Sequence, residues 1–389
     1  MNVAFDSVDL PDFLVRVWAA VDGRPRIGVD GAAVAERRRA HVARVQSEVP
    51  GVIVESDGQT VYTRALSVGC RTCKDGAWDC VFITMRCNLQ CGFCCSTQST
   101  RLETVVSAYG DDVDGVAENY DRVDVRGVGF SGGEALLEPE RLFAWIAALR
   151  ARGPHRYFWV YTNGVLADRE RLLRLADLGV NEIRFNMAAT GYTNPTTLRN
   201  VRAAVQLFPV VTVEIPAIPE HEAQLLAALD VWVDHGVRQL NLHELMREPG
   251  SNSCRLPGEF EAAVLDDGHR TDGSLASRRL ALAVMRAAQA RRLLLAVNDC
   301  SLESKRLQLR GRRRALAGLV AGPHELRVGD ELLETCCAFR NRHEFCFVHP
   351  DSLVTSRAAL RDHAFVRLRR TVPLSLKDKG TWVHFEPIP

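Results

Sequence analysis

The 389-residue sequence lacks the features that direct proteins into membranes or out of the cell. No uninterrupted apolar run approaches the ~20 residues that a bilayer-spanning helix needs. The first residues, MNVAFDSVDLPDF, have neither a basic start nor an apolar core, so they do not resemble a secretory signal. The sequence also has no large excess of basic or acidic residues, since 49 basic and 48 acidic residues leave a formal net charge of +1. We therefore expect a cytoplasmic protein with no membrane partner and no electrostatic reason to bind nucleic acid.

Cysteine, by contrast, is abundant, with 12 residues. Structural disulfides do not persist in a reducing compartment, so this excess indicates metal ligation or redox chemistry. Most of the thiols crowd into one stretch of the chain: Cys70, Cys73, Cys80, Cys87, Cys91, Cys94 and Cys95. Such a density predicts an inorganic site in this stretch.

From about residue 81 onwards, short apolar runs alternate with longer helical patterns, which is typical of βα units and a parallel sheet. The fold class predicted is α/β, with a partial TIM-type (β/α)6 barrel. Helices are predicted where apolar residues recur at helical spacing, at 137–151, 168–179 and 222–236. Strands are predicted at 81–84, 127–130, 157–162, 182–187, 210–215 and 239–242, and 293–297 is a candidate seventh strand.

The segments on either side of the barrel do not follow this alternation. VIVESDGQTVYTRAL predicts a hairpin with Asp57-Gly58 at its turn. We expect three regions along the chain. They are an N-terminal extension (1–80) with this hairpin and a cysteine knuckle, a barrel domain (81–300), and an irregular C-terminal cap (301–389).

Directly after the first predicted strand lies Cys87-Asn-Leu-Gln-Cys91-Gly-Phe-Cys94, a CxxxCxxC motif. Three thiolates on one tight loop can hold three corners of a cubane iron–sulfur cluster and leave the fourth iron open. A zinc ion would need a fourth ligand at matched spacing, for which the loop offers only Cys95. The motif therefore favours a [4Fe–4S] cluster.

This motif, with the aromatic Phe93 before its last cysteine, resembles that of the radical S-adenosylmethionine (radical SAM) superfamily. The resemblance implies that the open iron binds S-adenosylmethionine (SAM). It also implies that the reduced cluster cleaves SAM to methionine and a 5′-deoxyadenosyl radical, which removes a hydrogen atom from the substrate. A flavodoxin- or ferredoxin-type protein would donate the electron.

Segments at successive strand ends strengthen the resemblance. Ser131-Gly132-Gly133-Glu134 resembles the motif that binds the SAM amino group, where glycines allow close approach and a carboxylate neutralises an ammonium. Thr162-Asn163-Gly164 resembles the family segment after the third strand. Arg184 and Asn186 resemble residues that contact the SAM carboxylate and ribose, and Ile215 lies in a segment that resembles the one beside the adenine. All of them lie at the carboxyl-terminal ends of strands, where barrel active sites form.

A second group of thiols, Cys70, Cys73 and Cys80, precedes the first strand. A CxxC turn is a usual knuckle for iron–sulfur or zinc ligation. We expect an auxiliary [4Fe–4S] cluster here, with a structural zinc site as the alternative. Unless its fourth iron is left open for substrate or sulfur, the candidates for the fourth ligand are Cys95, Cys336, Cys337 and Cys346.

Other residues have weaker claims to a function. His243 and Glu244 follow the sixth predicted strand, where they could contact adenine or donate a proton to the product; capping or ion pairing is the alternative. Cys254 and Cys300 are expected to be buried apolar thiols, although one could donate a hydrogen atom. Lys305 could line the substrate site or lie on a surface helix.

The sequence therefore predicts a radical SAM enzyme that acts on a small molecule. This substrate class is favoured because no cobalamin domain, RNA-binding module or SPASM cysteine pattern is recognisable. Peptide maturation is one alternative reaction. Sulfur insertion, in which the auxiliary cluster is the donor, is another. A non-catalytic zinc or iron–sulfur binding protein is the alternative of a different class.

Overall fold

The computed structural model describes residues 31–96, 112–248, 250–264, 270–329, 332–341, 344–361, 363–372 and 382–388. The chain divides into two compact units. The first comprises residues 30–263 and 270–311, and the second comprises residues 1–29, 264–269 and 312–389. Within the described ranges, no helix combines the length and the apolar character that crossing a membrane requires.

Seven parallel strands form the core of the first unit. They are β3 (Trp78–Thr84), β4 (Gly127–Gly132), β5 (Tyr157–Thr162), β6 (Glu182–Phe185), β7 (Val210–Ala217), β8 (Gln239–Glu244) and β12 (Ala296–Cys300). They are hydrogen-bonded in the order β12-β8-β7-β6-β5-β4-β3. The predicted α/β partial barrel is thus confirmed, and the candidate seventh strand is present as β12.

Helices precede, separate and follow these strands along the chain. They are α1 (Gly31–Glu48), α2 (Val68–Lys74), α3 (Val113–Arg122), α4 (Pro139–Arg152), α5 (Arg169–Asp177), α6 (Pro195–Val205), α7 (Glu222–Asp234), α8 (Leu275–Ala290) and α9 (Leu302–Val320). The three predicted helices correspond to α4, α5 and α7. Asp168 begins α5 by accepting the backbone N–H of Arg171. Gly179 and Gly236, with φ of 77° and 94°, follow α5 and α7.

The predicted hairpin is confirmed and is part of the large sheet. Strand β1 (Val52–Glu55) pairs antiparallel with β2 (Thr60–Thr63), and Asp57 and Gly58 have positive φ at the turn. Strand β2 also pairs antiparallel with β12, through Asn298 and Tyr62. The hairpin therefore extends the barrel sheet beyond its seventh parallel strand.

The predicted cysteine knuckle is a helix. Cys70 and Cys73 lie on α2, which begins at Ser67 because its hydroxyl accepts the N–H of Cys70 at 3.1 Å. The same hydroxyl donates to Glu182, the first residue of β6, at 3.2 Å. Near Thr72 the helix meets Gly127, the first residue of β4. Helix α2 thus starts beside the amino-terminal end of β6 and continues along the barrel interior, where Cys70 contacts Asn241, and the expected CxxC turn is corrected.

The expectation of an irregular C-terminal cap is also corrected. Strands β13 (Leu326–Val328), β14 (Leu332–Asn341), β15 (Glu344–Val348), β16 (Ala364–Thr371) and β17 (Trp382–Ile388) form one antiparallel sheet, with α10 (Leu353–Ala359) between β15 and β16. Buried Val366 and Leu368 alternate with half-buried Arg367 and Arg369, which is the period of a strand. A small sheet of β9 (Met246–Arg247), β10 (Glu261–Val264) and β11 (Arg270–Gly273) follows β8.

Candidate active site

A cavity of about 240 Å³ lies at the carboxyl-terminal ends of the parallel strands. Barrel enzymes build their active sites at this end. Four predicted site residues, Glu134, Cys70, Cys73 and Cys80, lie outside its lining. The other predicted site residues line it: Cys87, Cys91, Phe93, Cys94, Ser131, Gly132, Gly133, Thr162, Asn163, Arg184, Asn186, Ile215, His243 and Glu244.

The cysteine loop begins in direct contact with the two glycines that follow β4. The backbone N–H of Gly133 donates to the carbonyl oxygen of Thr84 at 2.7 Å, and that of Glu134 donates to Arg86 at 2.8 Å. A Cβ on Gly133 would collide with the carbonyl oxygen of Arg86, so no larger residue allows this approach. The glycines therefore fix the start of the loop against β4.

The end of β5 holds the loop at its first cysteine. Asn163 donates from Nδ2 to Oδ1 of Asn88 at 2.7 Å, and the same nitrogen lies 3.9 Å from Sγ of Cys87. The backbone N–H of Leu89 donates to this sulfur at 3.4 Å. A thiolate at Cys87 would therefore meet two N–H groups.

A helical turn after β9 holds the other two cysteines. Asn252 donates from Nδ2 to the carbonyl oxygen of Cys91, and the backbone N–H of Ser253 donates to that of Cys94, both at 3.0 Å. Sequence reasoning missed Asn252 and Ser253, because contacts to a neighbouring backbone leave no motif.

The three thiols of this loop are partly buried and would lose their protons on binding a metal. Burial raises the pKa of Cys87, and it raises the pKa of Cys91 to about 11, so binding a metal would release their protons. In the described part of the chain, no three His, Cys, Asp or Glu side chains converge as they would on one metal ion. A cubane places its thiolates on separate irons, so Cys87, Cys91 and Cys94 could hold one.

Glu134 is buried behind the cavity wall, with only 1% of its surface exposed. Its carboxylate accepts from Thr162 Oγ1 at 2.9 Å, from the N–H of Asn163 at 2.7 Å and from the N–H of Leu136 at 3.1 Å. Burial raises its pKa, and these hydrogen bonds oppose the shift. The carboxylate joins the ends of β4 and β5, so the geometry does not offer it to a ligand.

Arg184 reaches the cavity as part of a buried ion-pair network. Its Nε donates to Glu182 and its Nη1 donates to Glu214, both at 2.9 Å. Its guanidinium also lies 4.7 Å from the ring centre of Trp159 and 5.4 Å from that of Tyr161. Burial lowers the pKa of Arg184, but the two carboxylates raise it well above its usual value. This cation is therefore permanently charged and already neutralised.

His243 and Glu214 form a close pair in the cavity wall. His243 Nε2 lies 2.6 Å from Glu214 Oε1, and Asn241 donates to the other oxygen at 2.9 Å. Burial raises the pKa of Glu214, but Arg184 and His243 lower it to about 2. Burial and the charge of Lys305 lower the pKa of His243. A neutral imidazole that donates from Nε2 keeps Nδ1 as a proton acceptor.

Two further ionisable side chains, those of Glu244 and Lys305, line the cavity. Glu244 accepts the N–H of Leu302 at 2.9 Å, and burial raises its pKa to about 7. Lys305, on α9, lines the cavity. Of its two predicted positions, the cavity wall and a surface helix, the structure shows the cavity wall. Its ammonium has no carboxylate within ion-pair distance among the described residues. It is therefore available to an anionic group of a ligand.

Cys70, Cys73 and Cys80 lie deeper, in the barrel interior. Asn241, on β8, donates to Sγ of Cys70 at 3.0 Å, and Cys73 follows one turn later on the same helix. Cys80 pairs in register with Gly129, which packs against the interior indole of Trp159. The thiols do not meet at one point in the described structure, as a zinc ion with bonds of about 2.3 Å would require.

Residues 81–231 match the sequence model of the radical SAM superfamily. These residues form a radical SAM domain. This radical SAM protein is therefore an enzyme, which sets aside the non-catalytic alternative, and its family implies a [4Fe–4S] cluster and SAM as cofactors. A protein of Methanocaldococcus jannaschii that carries the name of a glycyl-radical enzyme activating enzyme is 25% identical over 279 residues. The alignment covers 69% of this chain and 72% of that protein.

Solved structures of radical SAM enzymes overlap with this one more loosely. Streptococcus suis SuiB, bound to the precursor peptide SuiA, has a TM-score of 0.43 and 11% identity over 74% of this chain. The overlap spans 60% of the SuiB chain. Methylornithine synthase has a TM-score of 0.44 and 12% identity, with coverage of 78% of this chain and 83% of the synthase.

Proposed function

We propose that this enzyme cleaves SAM at a [4Fe–4S] cluster held by Cys87, Cys91 and Cys94, and removes a hydrogen atom from a small molecule bound in the same cavity. The observation that carries the proposal is the position of the three thiols, on one loop, in the wall of the cavity at the strand ends. When bound and reduced by a flavodoxin- or ferredoxin-type protein, the cluster supplies one electron to SAM, which yields methionine and a 5′-deoxyadenosyl radical.

The residues around the loop suit the amino-acid end of SAM. Gly132 and Gly133 carry no side chains between the cavity and the backbone, so carbonyl oxygens can accept from the SAM ammonium. The Glu134 carboxylate does not take this role, since Asn163 and Thr162 already occupy it. The position of Asn163 between Glu134 and the loop keeps the first cysteine oriented toward SAM.

The remaining charges favour a substrate with an anionic group. Lys305 is a lining cation that forms no ion pair within contact distance of a described carboxylate, although its charge acts on Glu244, whereas Arg184 is held by two carboxylates. His243, supported by Glu214, is placed to accept or return a proton of the substrate. A cavity of about 240 Å³ supports a small molecule, with a peptide side chain as the alternative.

An auxiliary [4Fe–4S] cluster on Cys70, Cys73 and Cys80 is part of this proposal. The three side chains come from two elements, α2 and β3. A cubane would bind each of the three thiolates through a separate iron, so their sulfurs would surround one cluster.

The test is anaerobic turnover of the reconstituted enzyme with dithionite and SAM, with 5′-deoxyadenosine and methionine measured by mass spectrometry. We expect both products from the wild type and from Cys254→Ser, which changes an exposed thiol. Cys91→Ser should form neither. Equal product formation by the two variants would refute the assignment of the loop. A reaction that stops early and resumes when sulfide is added would identify sulfur insertion.

A further inference from the structure

We propose that Cys300 is the fourth ligand of the auxiliary cluster, which Cys70, Cys73, Cys80 and Cys300 hold inside the barrel. The inference rests on the auxiliary cluster of the proposed function and names its remaining ligand. The sequence predicts Cys300 as a buried apolar thiol and places the fourth ligand at Cys95 or in the C-terminal region. The position of Cys300 in β12 changes that assignment.

Cys300 lies on the face of the sheet that points into the barrel. Asn298, two positions earlier on β12, donates to Oδ1 of Asn241 at 3.1 Å, and Asn241 in turn contacts Cys70. Because side chains alternate along a strand, Cys300 has the same facing as Asn298. It pairs in register with His243 and is only 8% exposed.

Helix α2 brings Cys73 to the same place. The helix starts beside Glu182 of β6 and ends at Lys74, whose Nζ donates to Oγ of Ser304 at 2.5 Å, just after β12. Cys73 precedes Lys74, so it lies near the end of β12.

Hydrogen-bond donors already surround the sulfurs. Cys70 Sγ lies 3.0 Å from Nδ2 of Asn241 and 3.7 Å from Nη2 of Arg184. Cys300 Sγ lies 3.9 Å from Nε2 of Gln308. The buried indole N–H of Trp159 has no acceptor among the described residues. Donors of this kind stabilise cluster thiolates and sulfides and tune the reduction potential.

Lys74 supplies a buried positive charge next to Cys73. Its side chain is only 7% exposed, and its ammonium binds the hydroxyl of Ser304 without a carboxylate of the described residues within ion-pair distance. A cluster bound by four thiolates would bring negative charge close to this ammonium.

The fourth ligands expected from the sequence lie elsewhere. Cys95 is exposed and lines the main cavity beside the cysteine loop. Cys336 packs in the hydrophobic core of the C-terminal sheet with Val348 and Phe365. Cys300 is therefore the thiol that shares the barrel interior with the first three ligands. Each of the four thiols would lose its proton as its sulfur bonds to iron.

The experiment uses the full chain with Cys87→Ser/Cys91→Ser/Cys94→Ser, in which the loop cluster cannot form. After anaerobic reconstitution with ⁵⁷Fe, iron, sulfide and Mössbauer spectra are measured. We expect about four irons per chain in this background. Adding Cys300→Ser should lower the iron content to less than half or produce a three-iron cluster signal. Adding Cys254→Ser, the matched exposed thiol, should change neither.

An unchanged four-iron spectrum with Cys300→Ser would overturn the assignment of Cys300 and leave the auxiliary cluster standing. A background protein without iron would show that the auxiliary cluster itself is absent. Cys300→Ser in the otherwise wild-type chain serves as the folding control, and it should keep the iron of the loop cluster. Loss of both clusters there would give Cys300 a general structural role and would also overturn the proposal.

Discussion

Glu134→Gln tests whether this carboxylate joins two strand ends. Its oxygens accept three hydrogen bonds, all within 3.1 Å, and glutamine would turn its NH2 group toward one of the donors. Losing a charge-assisted bond costs about 1.5–3 kcal/mol, and a buried unsatisfied N–H costs about 1–3 kcal/mol. Removing the buried charge recovers part of this, because burial raises the pKa of Glu134. We expect the free energy of unfolding to fall by about 2–4 kcal/mol.

Urea unfolding of the reconstituted protein, followed by circular dichroism near neutral pH, measures this change. Glu138→Gln is the matched control, since Glu138 forms a half-exposed ion pair with Arg86 at 2.8 Å. Such a pair contributes about 0.2–1 kcal/mol. If the two variants lose the same free energy, the buried carboxylate does not stabilise the strand ends, and the reasoning is refuted.

Three other changes have distinct expected results. Burial raises the pKa of Glu244 from 4.5 to about 7. The folded state therefore keeps a proton that the unfolded state releases, and the free energy of unfolding falls as the pH rises through this window. Urea unfolding at about pH 4 and about pH 8 should show a decrease of roughly 3 kcal/mol in the wild type that Glu244→Gln lacks. Arg184→Met leaves two buried carboxylates without their cation and should lower the free energy of unfolding by about 3–5 kcal/mol in the same assay. Gly133→Ala drives a Cβ into the carbonyl oxygen of Arg86, so iron analysis should show loss of the loop cluster, with the circular dichroism spectrum unchanged.

Local patterns were sufficient to predict the barrel. Strand β5 covers the apolar run YFWVYT, and α7 begins at the first residue predicted for it, because each βα unit is encoded within a short stretch of chain. The pairing of β2 with β12 joins segments far apart in the sequence, which no local pattern encodes. Helix α2 was missed because seven residues are too few to show a helical period, although Ser67 provided an N-cap signal.

The composition of the site was predicted better than its contacts. The cysteine loop, the glycine pair and the strand-end residues were expected together, since the carboxyl ends of parallel strands meet at one edge. The hydrogen-bond partners of Glu134 and Arg184 were not predicted, because a side chain's hydrogen bonds depend on elements that are distant in sequence. Cys300 carried no motif, and only its facing in β12 brings it toward Cys73.

The central claim is that SAM binds at the cluster held by Cys87, Cys91 and Cys94. Its most direct test is electron paramagnetic resonance of the dithionite-reduced protein, recorded with and without SAM. We predict that SAM changes the spectrum of the wild type and has no effect on Cys87→Ser/Cys91→Ser/Cys94→Ser, in which the loop cluster cannot form. An equal response to SAM in the triple variant, or none in the wild type, would contradict the assignment.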